Sequence, residues 1–251
     1  MSDYIFLSIV MPAYNEEANI EAVLEEHLAV LRGLPPSVTE CEIVCLDDCS
    51  RDRTPFIIER ISRSDSRVRL VRHTENKGIY QSFADLYHEA RGTYIYATGS
   101  DGQWPARNLL TMLSVLPRGV DLVVGERPNR RSVYNLRRQI VSHAFNLLPL
   151  ILFGVATRDA GSIKLGRKEL FVLPLRSRSP FVEAERIIVA RRNGYQIAFV
   201  PIEFAARSGG KALGATFPNL VASLRDCLKL AVTSERYPSR RTFPAPQCPK
   251  T

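Results

Sequence analysis

Ile5-Phe-Leu-Ser-Ile-Val-Met11 is a short apolar run rich in β-branched residues and closed by Pro12, and it reads as a buried strand. A helix should follow. Asn15 stands as its N-cap with acids in the next turn, Ile20, Val23, Leu24, Leu28 and Leu31 recur with helical period, and Gly33 with Pro35-Pro36 ends it. The rhythm then repeats. Glu42–Leu46 predicts a second strand, a helix reaches through Arg60 and Ile61, and Val68–Val71 predicts a third strand. An Asn76-Lys-Gly78 turn, a helix from about Ile79 to Ala90 and a strand Tyr94–Ala97 complete this half. Strands alternating with helices over short connections predict a doubly wound, mostly parallel α/β sheet flanked by helices, whose ligands sit at the carboxyl ends of the strands.

Beyond Gln103 the pattern loosens. A helix near 108–116, a strand Asp121–Val124, a strand Ser162–Leu165, a helix around Glu183–Arg192 and a strand Ile197–Val200 are expected. Between them lies an arginine-rich segment, Arg127 to Arg138, followed by a helical apolar stripe of Ile140, Ala144, Leu147, Leu148 and Ile151. The proline-rich residues 234–251 predict a disordered tail. The expectation is one domain over 1–233, with a nucleotide-binding half at 5–105 and an acceptor half at 106–233.

Composition narrows the class. Hydrophobic residues make up 45% of the chain and charged residues 24%, which suits a globular fold and excludes collagen-like or disordered classes. The balance of 34 Lys+Arg against 26 Asp+Glu gives a net charge of +8, so some surface should meet phosphate. Cys41, Cys45, Cys49, Cys227 and Cys248 form no paired or zinc-binding pattern. No signal peptide or membrane span is read, so a cytoplasmic location is expected.

Three strand-end segments carry candidate chemistry. Asp47 and Asp48, in Leu46-Asp-Asp-Cys-Ser-Arg-Asp-Arg-Thr54, can accept hydrogen bonds from a nucleobase or ribose, while Ser50 and Thr54 can cap the next helix. Thr98-Gly-Ser-Asp-Gly-Gln103 places a carboxylate and an amide oxygen together, which suits Mg²⁺ or Mn²⁺, although Asp-Gly is equally an ordinary turn. Met11-Pro-Ala-Tyr-Asn-Glu16 is the third.

In order and placement these segments resemble the family 2 glycosyltransferases of the GT-A fold, and within them the polyprenyl-phosphate branch typified by dolichyl-phosphate mannose synthases. The resemblance implies a nucleotide-sugar site formed by Pro12, Ala13, Tyr14, Glu16, Asp47, Asp48, Lys77, Gly78, Ser100 and Asp101. It implies a metal held by Asp101 and Gln103, with Gly99 standing where the family carries a first acid. Asp101, Asp159, Arg207 and Lys211 are the implied catalytic residues, Arg207 and Lys211 neutralising the leaving nucleotide. Glu185 matches the family's helix acid, while Ala212 and Leu213 replace its Ser-Lys pair.

For the acceptor, the arginine forks of Arg127 and Arg138 suit a phosphate, and the neighbouring apolar stripe suits a prenyl chain or a bilayer surface. The implied activity is inverting transfer of a sugar from a nucleoside-diphosphate sugar to a polyprenyl phosphate by a peripheral enzyme. Two alternatives stay open. One is the same chemistry on a soluble hydroxyl acceptor, with Asp159 as the first candidate base; the other is a nucleotide-sugar-binding module without turnover. A nucleic-acid role is disfavoured because the arginines lack an aromatic stacking series.

Overall fold

β1 (Ile5–Ala13) is buried along almost its whole length, which explains why its sequence shows no polar alternation. The computed structural model describes residues 4–127, 147–205 and 217–233. In chain order after β1 come α1 (Ile20–Val30), β2 (Val38–Asp47), α2 (Thr54–Ser64), β3 (Val68–Arg72), α3 (Ile79–Glu89), β4 (Tyr94–Ala97), α4 (Asn108–Leu113) and β5 (Leu122–Glu126). A helical segment, α5 (147–153), then precedes β6 (Lys164–Arg167), α6 (Lys168–Phe171), α7 (Val182–Arg192), β7 (Ile197–Pro201) and α8 (Phe217–Thr233).

The seven strands form one sheet in the order β3-β2-β1-β4-β6-β5-β7. β1 pairs in parallel with both β2 and β4, so the winding reverses at β1 and opens a crevice at its carboxyl end. β6 alone runs antiparallel to its neighbours, and its first residue, Lys164, pairs with Ala97 at the end of β4. The loop entering β6 therefore meets the same end of the sheet as the loops leaving the parallel strands.

The pleat sends alternate side chains to two apolar layers. Ile9, Met11, Ile43, Cys45 and Tyr96 pack with residues of α1, α2 and α4. Val10, Val44, Leu46, Ile95 and Ala97 pack with residues of α3, α7 and α8. Gly92 enters where no side chain fits, since a Cβ there would lie 2.5 Å from the Phe6 carbonyl and 2.7 Å from the Ser8 nitrogen.

Several boundaries differ from the sequence reading. Pro12 does not end β1, because the strand continues through its carbonyl, which accepts the Ser100 hydroxyl. Asn15 is not the cap of α1; it has φ of 55°, in the left-handed region where asparagine is tolerated, and the helix starts at Ile20. The sequence reading placed 217–233 in the acceptor half without a helix there and so missed α8, although Leu220, Val221, Leu224, Leu228 and Val232 recur at helical spacing and the signal was available. Among the described residues, no helix is long and apolar enough to cross a membrane.

Candidate active site

The turns after β1 and β2 are joined by reciprocal hydrogen bonds. Asn15 N–H donates to the Ser50 hydroxyl at 2.9 Å, and Arg51 N–H returns a bond to the Asn15 amide oxygen at 2.8 Å. Glu16 and Glu17 N–H groups donate to Thr54 Oγ1 and Asp52 Oδ2 at 2.8 and 3.1 Å. Ser50 and Thr54 thus cap no helix through their side chains; their hydroxyl oxygens accept the Asn15 and Glu16 N–H groups instead and brace the neighbouring turn. The brace fixes Tyr14, half exposed, above the ends of β1 and β2.

Asp47 and Asp48 do different work. The Asp48 carboxylate accepts Lys77 N–H and Gly78 N–H, each at 2.8 Å, and lies 2.7 Å from Nδ1 of His73. Burial alone would push its carboxyl up, but the His73 ring and those two N–H groups outweigh burial and hold it below the usual carboxylate range. Asp48 therefore builds the 76–78 turn ahead of α3. Gly78, with φ of 82°, supplies a conformation that a side chain would strain. Asp47 is wholly buried, with Oδ1 accepting Ser50 N–H, while Oδ2 has no hydrogen-bond partner and lies 3.8 Å from the Arg72 guanidinium. A buried orphan acceptor aimed at a strand end is suited to a ligand N–H or hydroxyl.

At the end of β4, Ser100 is buried against the Pro12 carbonyl, and Asp101 Oδ1 accepts Gln103 N–H at 3.2 Å. Gly99 leaves open the space beside Asp101, where a Cβ would stand 3.3 Å from Oδ1. No group of three His, Cys, Asp or Glu able to hold a metal occurs among the described residues. One carboxylate and one amide oxygen fit a cation that arrives with a diphosphate and keeps waters, but do not form a protein-built cage.

The two candidate acceptor-side residues meet each other. Arg127 donates to Asp159 from its backbone N–H at 3.1 Å, from Nε at 2.7 Å and from Nη2 at 2.5 Å. Its guanidinium carbon lies 5.5 Å from the Trp104 ring centre and 5.2 Å from that of Phe204. The Asp159 loop is itself pinned by buried Lys164, whose ammonium donates to the Ala160 and Ser162 carbonyls and pairs with Glu183 at 2.7 Å. Glu185 is fully buried and accepts Arg176 and Ser177 N–H, each at 2.8 Å, which ties that loop to α7.

The sequence-predicted residues Pro12, Ala13, Tyr14, Glu16, Asp47, Asp48, Lys77, Gly78, Ser100, Asp101 and Gln103 sit in the last residues of β1 and β2 or in the segments that follow β1 to β4, and Arg127 and Asp159 lie at the adjoining ends of β5 and β6. Arg138, Arg207 and Lys211, with Arg130, Arg131, Arg137, Ile140, Ala144, Gly210, Ala212 and Leu213, lie outside the described residues, as does the 234–251 tail. Ala205, the last of the described residues before Arg207, donates its N–H to the Gln103 carbonyl at 2.9 Å. Sequence reasoning missed His73, Asp85, Trp104, Lys164 and Phe204. His73 and Trp104 each directly follow a strand end or its turn, a signal that was available; the partners of Lys164 are set only by tertiary packing.

A family model described as glycosyl transferase family 2 matches residues 8–172. An undecaprenyl-phosphate 4-deoxy-4-formamido-L-arabinose transferase of Pseudomonas fluorescens is 29% identical over 229 residues, covering 89% of this chain and 65% of that protein. A second transferase of that description, from Pseudomonas paraeruginosa, is 29% identical over 70% of this chain and 52% of its own length. Glycosyltransferase AglD of Haloferax volcanii is 26% identical over 82% of this chain and 34% of its own length. The chain thus spans about half to two thirds of the two undecaprenyl-phosphate transferases and a third of AglD. Among solved structures, mannosyl-3-phosphoglycerate synthase of Rubrobacter xylanophilus superposes with a TM-score of 0.72 at 18% identity, covering 98% of this chain and 79% of that one. Glucosyl-3-phosphoglycerate synthase of Mycobacterium tuberculosis, solved with Mn²⁺ and UDP, gives 0.63 at 19% identity, covering 92% and 79%. These likenesses show the shared fold.

Proposed function

Because this chain belongs to glycosyl transferase family 2, we propose that it moves a sugar, with inversion, from a nucleoside-diphosphate sugar to a polyprenyl phosphate at the cytoplasmic face of a membrane. The acceptor class is supported by the two undecaprenyl-phosphate transferases that align along most of this chain. The observation that carries the reading is the state of Asp159. A hydroxyl acceptor needs a base, and the carboxylate best placed for that task already accepts three N–H bonds from Arg127. A lipid phosphate arrives ionised and needs no base.

On this reading Asp47 Oδ2 receives an N–H or hydroxyl of the nucleoside, and the turn that Asp48 organises presents Lys77 toward the diphosphate. Asp101 and Gln103 would hold Mg²⁺ or Mn²⁺ brought with the donor, and that ion supplies neutralisation of diphosphate charge. An oxygen of the acceptor phosphate attacks the anomeric carbon as the bond to the nucleoside diphosphate breaks, and the nucleoside diphosphate leaves with both electrons of that bond. Arg207 and Lys211 balance the charge that develops on it. Arg127, resting against the Trp104–Phe204 pair, keeps the Asp159 loop in register beside the cleft, and Arg138 is assigned to the acceptor phosphate.

The test is transfer of label from a panel of uridine and guanosine diphosphate sugars to undecaprenyl phosphate in detergent, with Asp101→Ala as the control. Label in the lipid that vanishes in Asp101→Ala supports the proposal. Label moved only to a soluble hydroxyl acceptor, or nucleotide binding without any turnover, overturns it.

A further inference from the structure

α8 has two faces with different fates. Ser223, Asp226, Cys227 and Leu230 are buried against the body of the domain. Val221, Leu224, Leu228 and Val232, spaced as one stripe at three-, four- and four-residue steps, remain between 46% and 87% exposed. Arg225 and Lys229 stand exposed along the same side. The only acid of the helix, Asp226, is turned inward, where it accepts the N–H groups of Arg178 and Ser179 at 3.2 Å and lies 3.7 Å from Arg225. A groove of about 850 Å³ is lined by this stripe together with Arg176, Arg178 and Asp226.

We propose that this outer face of α8 is a docking surface for an anionic lipid bilayer, with the four apolar side chains at the acyl boundary and the cations at the lipid phosphates. A contiguous apolar stripe left open after the inner face has been packed calls for a partner. Its border selects among partners. Four cations, Arg176, Arg178, Arg225 and Lys229, line the groove against one acid, Asp226, whose carboxylate is already engaged by two backbone N–H groups, so the surface is complementary to negative charge. A second copy of the chain is a poor fit, because a two-fold contact through this stripe would set Arg225 and Lys229 against their own counterparts. The inference rests on the proposed acceptor only for its purpose, which is to hold the cleft at the surface where a lipid phosphate lies.

The experiment is flotation of the full chain with vesicles of phosphatidylcholine, with and without phosphatidylglycerol, in the absence of donor and acceptor. Anionic vesicles should bind at least about tenfold more protein than neutral ones, and added salt should weaken the binding. Leu224→Glu with Leu228→Glu, both at exposed positions that leave the inner face intact, should abolish it with an unchanged circular dichroism spectrum, and Arg225→Glu with Lys229→Glu should remove the preference for anionic lipid. Equal binding of these variants, absence of vesicle binding, or concentration-dependent dimers that the leucine variant dissolves would each overturn the inference. Transfer to undecaprenyl phosphate in detergent separates this result from the acceptor reading: lost flotation with retained transfer in the leucine variant supports the docking surface, whereas an unaltered chain that transfers but does not float removes the docking surface alone.

Discussion

His73 places Nδ1 2.7 Å from Asp48 Oδ1, and the opposite nitrogen of the same ring lies 2.9 Å from Asp85 Oδ2. The imidazole is nearly buried, so it joins the end of β2 to α3 away from bulk water. Burial would raise the Asp85 carboxyl, but Gln81, His73 and Lys77 together hold it below the ordinary range, as His73 and the turn amides do for Asp48. The ring thus bridges the two carboxylates, one at each nitrogen.

His73→Leu should leave Asp48 and Asp85 without the group between them and loosen the turn bearing Lys77 and Gly78. Removing the ring takes a hydrogen-bond partner from the nearly buried Asp48 carboxylate, which costs about 1–3 kcal/mol. Calorimetric unfolding should show that loss, and titration with UDP or GDP should show binding weakened by at least about tenfold, whereas unchanged nucleotide affinity would remove His73 from the site.

Arg127 and Asp159 should behave as one unit. Each single change, Arg127→Met or Asp159→Asn, strands a buried group, and the double change removes both. A double-mutant cycle on unfolding free energy should give a coupling of about 3 kcal/mol. Additive single effects would show that the pair does not hold the loop entering β6.

Much of this was legible from the chain because the information was local. The apolar runs of β1, β2 and β4 and the stop at Gly92 marked the parallel half, and the strand-end acids marked the cleft. What stayed hidden depends on contacts distant in sequence. Asp47 and Asp48 are adjacent and chemically identical, yet only the fold leaves Asp47 with an oxygen that lacks a hydrogen-bond partner while spending Asp48 on a turn 29 residues away. Arg127 and Asp159 carried separate roles in the sequence reading until β5 and β6 brought them 2.5 Å apart. α8 is a different case, since Val221, Leu224, Leu228 and Val232 recur at helical spacing and its signal lay open in the chain.

His27 gives the fold an acid sensitivity of its own. Nδ1 lies 2.8 Å from the Val23 carbonyl, Nε2 has no hydrogen-bond partner, and burial pushes the ring's pKa down, opposed in part by the Val23 contact. The unfolded chain then takes up a proton that the folded one refuses, so stability should fall as the pH drops below about 6.5. A second loss should follow below about 4, as the unfolded form of Asp65, held in the fold at about 2 chiefly by the Arg67 guanidinium, becomes protonated. Urea midpoints across this range should show both stages, and His27→Leu should remove the first while sparing the second.

Gly92 should tolerate no side chain. Gly92→Ala would drive a methyl into the Phe6 carbonyl and the Ser8 nitrogen, and should cost about 1–3 kcal/mol by overpacking. Thermal unfolding measures this directly; a neutral substitution would mean that β1 and the turn before β4 can part without cost.

The most direct test is transfer itself: purified full chain, labelled nucleoside-diphosphate sugars, undecaprenyl phosphate in detergent, and activity followed from neutral pH downward with Asp159→Asn alongside. The account predicts label in the lipid, its loss in Asp101→Ala, and a pH profile whose shape Asp159→Asn leaves unchanged even where that variant lowers the rate. Transfer to a hydroxyl acceptor alone, with a pH limb that disappears in Asp159→Asn, would contradict it.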